Sequence, residues 1–114
     1  MDDCLFCNIA AGESKTDLVY EDEKVVAFED INPQAPVHFL IVPKKHIPTL
    51  NDLENNDKEL IGHIYQVAAN LAADNDIEND GYRIVSNCNE DGGQTVFHLH
   101  FHLLGGRQLQ WPPG

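Results

Sequence analysis

The stretch His98-Leu99-His100-Phe101-His102-Leu103-Leu104 sets histidine against bulky apolar residues at every second position. Alternation with period two is strand spacing, because successive side chains leave opposite faces. It predicts a strand over 97–104 with three imidazoles on one face, ~6.6 Å apart along the strand. Leu99, Phe101 and Leu103 go to the other face and would anchor the strand in a core. Imidazole has an unperturbed pKa of ~6.5, so a rigid row of this kind can attack, donate hydrogen bonds or shuttle protons. The same row suits a transition-metal site, or an accident on a solvated face.

Just upstream stands Asn87-Cys88-Asn89-Glu90-Asp91-Gly92-Gly93-Gln94-Thr95-Val96-Phe97. Asp91-Gly92-Gly93 is a turn signal. Gly92 and Gly93 let the backbone approach a ligand, and their N–H groups can donate to an anion. Gln94 and Thr95 add an amide and a hydroxyl. Read alone, this is equally a plain hairpin loop; beside three histidines it reads as one wall of a phosphate pocket.

The rest of the chain supplies a frame for the row. Leu5 to Ala10 reads as a short helix closed by Gly12. Leu18-Val19-Tyr20 and Val25-Val26-Ala27-Phe28 read as short strands around the acidic turn Glu21-Asp22-Glu23. His38-Phe39-Leu40-Ile41-Val42 is an apolar strand stopped by Pro43. The main helix should run from about Asp57 to Asp74, capped by Asn55 or Asn56. Its apolar stripe is Leu60, Ile64, Val67, Ala68 and Leu71, and His63 lies off it as a surface residue. Gly81 to Val85 is a further strand. Grouped strands favour an α+β domain, an antiparallel sheet with helices on one side.

At 114 residues the chain reads as one domain. A formal net charge of −12 argues against polymeric DNA or RNA, which needs a basic surface, while a local pocket can still take a small nucleotide. Met1-Asp2-Asp3 gives no sign of a leader, and no apolar run approaches membrane-spanning length. A cytoplasmic protein is expected, with its three cysteines reduced. Cys4-Leu5-Phe6-Cys7 is a Cys-x2-Cys pair, which is either half of a zinc site or two small packed thiols.

Several motifs in order resemble the histidine-triad (HIT) family, most closely its Hint branch, the purine nucleoside phosphoramidases. They are Phe28-Glu29-Asp30-Ile31-Asn32-Pro33-Gln34-Ala35-Pro36, His38, Pro43-Lys44-Lys45-His46-Ile47, Gly92 to Phe97, the three histidines, Gly105-Gly106-Arg107-Gln108 and Trp111-Pro112-Pro113-Gly114. The resemblance implies a HIT-like fold of about five antiparallel strands over residues 1–114, with a main helix and a short N-terminal helix. It implies cleavage of the P–N bond in AMP or GMP joined to an amine, through a covalent nucleotidyl-histidine on His100. His38 would hold the other ring nitrogen of His100, and His102 would donate to a phosphate oxygen. Thr95 would stand near the leaving amine, where the branch has a serine.

For the nucleotide, the resemblance implies Asp30 on the ribose hydroxyls and Phe6, Ile9, Phe28 and Ile31 around the base. Asn87 would contact ribose or phosphate, and Gly93, Gln94, Thr95 and Val96 the phosphate. Bacterial relatives complete the cysteine pair with two histidines, here His46 and His98. That implies a structural zinc on Cys4, Cys7, His46 and His98, with no cofactor needed for catalysis. It also implies a homodimer in which the tail containing Trp111 approaches the partner's site. A Fhit-like dinucleoside polyphosphate hydrolase and a nucleotide-binding regulatory module are the competing readings.

Overall fold

Strands β2 (Val25–Glu29) and β3 (Val37–Pro43) are apolar on both faces, and they form the centre of the sheet. The computed structural model describes residues 4–114; Met1-Asp2-Asp3, read above for a leader, lies outside them. Around that centre are β1 (Leu18–Glu21), β4 (Tyr82–Val85) and β5 (Phe101–Gly105). The strand order is β1-β2-β3-β5-β4, with antiparallel pairing throughout.

Residues of opposite parity feed two cores. Val25, Ala27, Phe39 and Ile41 join Leu99, Phe101 and Leu103 under helix α2 (Lys58–Asp74), which contributes Ile64, Val67, Ala68 and Leu71. Val26, Phe28, Leu40 and Val42 face the other way. Helix α1 (Leu5–Ala10) covers them with Phe6, Ile9 and Ala10. Helices on one side were expected; instead one lies on each face. The doubly apolar β2 and β3 demand it, since each exposed Val or Leu would forfeit about 1.5–3 kcal/mol of burial.

The acidic turn between β1 and β2 is tied by Asp22, whose carboxylate accepts from the N–H groups of Lys24 and Val25. Neither Asn55 nor Asn56 caps α2. A 3-10 turn, Asn55–Asp57, runs directly into the helix. Asp57 uses its carboxylate instead to accept from the Glu54 N–H and from Lys45 at 2.6 Å. That Lys45 bond is the main reason the Asp57 carboxyl sits below its ordinary value. It also ties the 44–49 loop to the base of α2.

The regular ladder of β5 begins only at Phe101, so the strand expected over 97–104 is shorter at its start. Residues 97–100 are irregular, yet the alternation of faces continues: Leu99 is in the α2 core while His98 and His100 lie on the α1 side. At the end of β5, Gly105 is required by close approach. A Cβ there would lie 2.5 Å from Ile77 Cδ1. Asn89–Gly92 form one helical turn, α3, where only a turn was expected, and Gly93 closes it at φ +83.

Candidate functional site

His38 and His102 meet because of register. In the β3–β5 ladder His38 faces Leu104 and His102 faces Leu40, so the two histidines are diagonal neighbours on one face. His38 Nε2 lies 2.9 Å from His102 Nδ1. The ring centroids of His100 and His102 are 5.2 Å apart. His98, His100 and His38 are buried, while His102 keeps an exposed edge.

Backbone partners fix which nitrogen of each ring carries the proton. A carbonyl only accepts and an amide N–H only donates. His98 Nε2–H donates to the Pro43 carbonyl at 2.7 Å, leaving Nδ1 with a lone pair. His100 Nδ1–H donates to the His98 carbonyl at 2.8 Å, leaving Nε2 with a lone pair. His38 Nδ1 accepts the Gln34 N–H at 3.0 Å, so its Nε2–H donates to His102 Nδ1. His102 therefore carries its proton on Nε2. His38 does not hold His100, as the resemblance implied; it orients His102, and the His98 backbone holds His100.

Burial shifts the pKa of three of the rings, His102, His38 and His98, downward. Desolvation, then the neighbouring His100 and His38, pushes His102 down to about 4 against a smaller opposing pull from Asp30. Burial likewise lowers His38 and His98. Neutral rings keep their lone pairs available, and each N–H then has a defined direction. Asp30 Oδ2 lies 3.4 Å from His38 Nε2 and 4.0 Å from His102 Nδ1, and Oδ1 accepts the Asn32 N–H at 2.8 Å. Asp30, His38 and His102 lie close enough to reach one ion. The tautomer imposed by Gln34 leaves His38 Nε2 no lone pair to give, so the trio does not suit a metal.

The loop ahead of the histidines is built differently from its expected role. The Gln94 side chain is buried and fully engaged. Its oxygen accepts the Asn89 N–H, and its amide donates to the carbonyls of Pro48 and Val96. The N–H groups of Gly93 and Gln94 close α3 onto Glu90 and Asn89. Gln94 and Gly93 are thus braces. Thr95 and Val96 offer N–H groups with no protein acceptor among the described residues. Asn87 packs its backbone against Gly92. Phe6, Ile9 and Phe28 form part of the α1 core, with Phe6 edge-on to Phe28 at 5.6 Å and to His100 at 5.0 Å. Ile31 is fully exposed.

Cys4, Cys7, His46 and His98 converge from three parts of the chain. Each sulfur lies 3.2–3.5 Å from Nδ1 of each histidine, and the two Nδ1 atoms are 3.2 Å apart. A tetrahedral zinc with bonds of about 2.05 Å to nitrogen and 2.3 Å to sulfur needs N–N and S–N edges of about 3.3 and 3.6 Å. The quartet fits that ion. Its loops are stitched together, since the Leu99 N–H donates to Ile47 and Gln94 holds Pro48, which places His46 against His98. Burial, then Cys4, pushes the Cys7 thiol up to about 11, so it takes a cation beside it to hold the thiolate at neutral pH. His98 belongs to this quartet by its ring and to the His100 site by its carbonyl.

Sequence reasoning missed Gln34 and Pro43 as orienting partners, because they act through main-chain groups that leave no trace in composition. It read the Gln94 side chain as a ligand contact rather than a brace. It also missed His63, whose Nε2 lies 2.6 Å from Asp22 Oδ2 and ties α2 to the first turn.

A HIT-domain profile matches residues 11–109. An uncharacterized HIT-like protein of Synechocystis sp. is 48% identical over 113 residues, spanning 99% of this chain and 98% of that protein. The crystal structure of a HIT family hydrolase from Legionella pneumophila superposes with a TM-score of 0.96 at 54% identity, covering 98% of this chain and 100% of that one. A zinc-bound histidine triad family protein from Mycobacterium smegmatis superposes with a TM-score of 0.79 at 31% identity, covering 93% of this chain and 76% of that one. Matched over nearly its whole length in sequence and in fold, the chain belongs to the HIT family.

Proposed function

We propose that this protein hydrolyses the P–N bond of purine nucleoside 5′-phosphoramidates, as the Hint branch does. One observation carries the reading: His100 Nδ1–H is bound to the His98 carbonyl, which leaves the Nε2 lone pair free beside His102. That nitrogen attacks the α-phosphorus, the P–N bond breaks and the amine leaves with a proton. Water then attacks the nucleotidyl-histidine and releases AMP or GMP. His102, aimed by His38, donates its Nε2–H to a nonbridging oxygen as charge develops. The N–H groups of Thr95 and Val96 add to that stabilisation, and the Thr95 hydroxyl delivers the proton to the amine.

Asp30 binds the ribose hydroxyls with the lone pairs that Asn32 leaves open. Phe28, Phe6 and Ile9 give the base an apolar floor and exposed Ile31 closes over it, with Asn87 at the ribose and phosphate end. Cys4, Cys7, His46 and His98 hold a structural zinc that fixes α1 and His98; no catalytic step needs it. The zinc-bound Mycobacterium smegmatis relative supports this reading.

The protein works as a homodimer built along the β4 edge. Trp111, 81% exposed in the single chain, reaches the partner's site on the tail that Arg83 holds at the Gln110 carbonyl. Among the described residues no helix is long and apolar enough to cross a membrane.

Turnover of adenosine 5′-phosphoramidate by wild type and by His100→Ala tests the activity. Loss in the variant supports the reading. Cleavage of a dinucleoside polyphosphate in preference to the phosphoramidate, or tight AMP binding with no turnover, contradicts it.

A further inference from the structure

Cys4, Phe6 and Cys7 come from one short segment and reach two centres. The cysteine sulfurs face His46 and His98. Phe6, between them in sequence, packs edge-on against the His100 ring. His98, whose ring meets both sulfurs, gives its carbonyl to His100. Two routes thus run from the sulfurs to His100, one through His98 and one through α1 and Phe6. At six residues α1 is too short to hold itself. Its placement depends on what its sulfurs and apolar side chains grip.

The two sulfurs are also placed to react with one another. Cys4 is the extended N-cap of α1, and its Sγ accepts the Cys7 N–H at 3.1 Å. The two Sγ atoms lie within 4.8 Å, and neither residue is sealed from solvent. Cysteines separated by two residues at a helix start are a recurrent redox arrangement. An S–S bond of about 2.05 Å would pull the two sulfurs together and leave neither as a thiolate that can hold a metal.

We propose that Cys4 and Cys7 are a peroxide-sensitive thiol switch that governs the position of His100. The regulated turnover rests on the phosphoramidase reading; the displacement of His100 does not. Peroxide oxidises one thiolate to a sulfenic acid, its O–O bond breaking and hydroxide leaving. The second thiolate attacks that sulfur, expels a second hydroxide and forms the disulfide. Two electrons pass from the sulfur pair to peroxide, and two negative charges leave the quartet, which then releases its zinc. His98 keeps its bond to Pro43 but loses the metal side of its ring, Phe6 loses the hold of the flanking sulfurs, and His100 loses its fixed direction. A dithiol reductant with zinc reverses the change.

The test treats zinc-loaded wild-type protein with hydrogen peroxide and reads four quantities: free zinc by chromogenic chelator, the Cys4–Cys7 linkage by peptide mapping, the His100 ring by nitrogen NMR, and turnover. The switch predicts about one equivalent of zinc released per chain, a changed His100 Nδ1–H signal and turnover reduced about ten- to a hundred-fold, all restored by reductant and zinc. In the double variant Cys4→Ser, Cys7→Ser, peroxide should leave the His100 signal unmoved. Oxidation confined to Cys88, a disulfide that leaves the His100 signal unchanged, or protein that takes up no zinc would each overturn it. Absent turnover before peroxide contradicts the phosphoramidase reading alone, and the ring spectra still decide the switch.

Discussion

Two clusters of histidine lie side by side on the α1 face, and they use the same side chain in opposite ways. In the quartet, His98 ties Nε2–H to Pro43 and turns Nδ1 toward two sulfurs. Two residues on, His100 ties Nδ1–H to the His98 carbonyl and keeps Nε2 free. His102, two residues further, accepts at Nδ1 from His38 and points a proton outward. Under the proposed function the first ring is a ligand, the next a nucleophile and the third a donor. The difference lies in the backbone or side-chain group each ring meets, not in the ring. An alternating strand supplies the row, and the neighbouring loops assign the tasks.

Breaking the nucleophile should have the largest effect on rate and little effect on stability. His100→Ala is expected to lower turnover by at least ~10⁴-fold while AMP affinity changes only a few-fold, measured by steady-state kinetics and calorimetry. The midpoint of thermal unfolding should hold within a few degrees.

Breaking the quartet should show the reverse weighting. Replacing Cys4 and Cys7 with serine removes the zinc and is expected to cost about 2–4 kcal/mol, or roughly 10–20 °C in the unfolding midpoint. Its rate penalty should be far smaller than that of His100→Ala. A chelator titration followed by calorimetry checks the same comparison without mutation.

The donor arm sharpens the contrast through pH. With a folded pKa of about 4, His102 stays neutral while the unfolded chain's histidine takes up its proton near ~6.5. The unfolded state then binds more protons across that window. Stability is full above ~6.5 and is lost as pH falls toward 4, by on the order of 2 kcal/mol after allowing for the exposed edge of the ring. Urea unfolding at pH 7, 5.5 and 4 should show the slope, and His102→Gln should flatten it. The same variant should reduce turnover by about 10²-fold at pH 7.

The smallest effect is expected far from both clusters. His63→Gln removes the pairing with Asp22, a half-exposed contact worth under about 1 kcal/mol. Burial alone would raise the Asp22 carboxyl. Hydrogen bonds from Tyr20, Lys24, His63 and Val25 outweigh it and hold the group well below the carboxylate range. Three of those bonds survive in the variant, so neither turnover nor zinc content should change.

What could be read in the sequence follows from what is local. The alternation of His98 to Leu104 and the stripe Leu60, Ile64, Val67, Ala68 and Leu71 each encode an apolar face, and both pack into the α2 core, with Leu60 only partly buried at its margin. The strands around Asp22 and the limits of α1 followed from turn chemistry. The side of the sheet that α1 covers was legible only as the apolar continuity of β2 and β3. Ring orientation was not legible at all. It depends on Gln34, Pro43 and His98, which act through main-chain groups rather than through their side chains. Gln94 looked like a ligand donor because a buried brace and a binding amide have the same side chain.

The measurement that bears most directly on the account is the identity of the covalent intermediate. Wild-type protein mixed with adenosine 5′-phosphoramidate, quenched within milliseconds and digested should carry adenylate on His100, bonded through Nε2. Adenylate on His98 or His102, or turnover through single-step attack of water with no adduct, would contradict the assignment of tasks within the row.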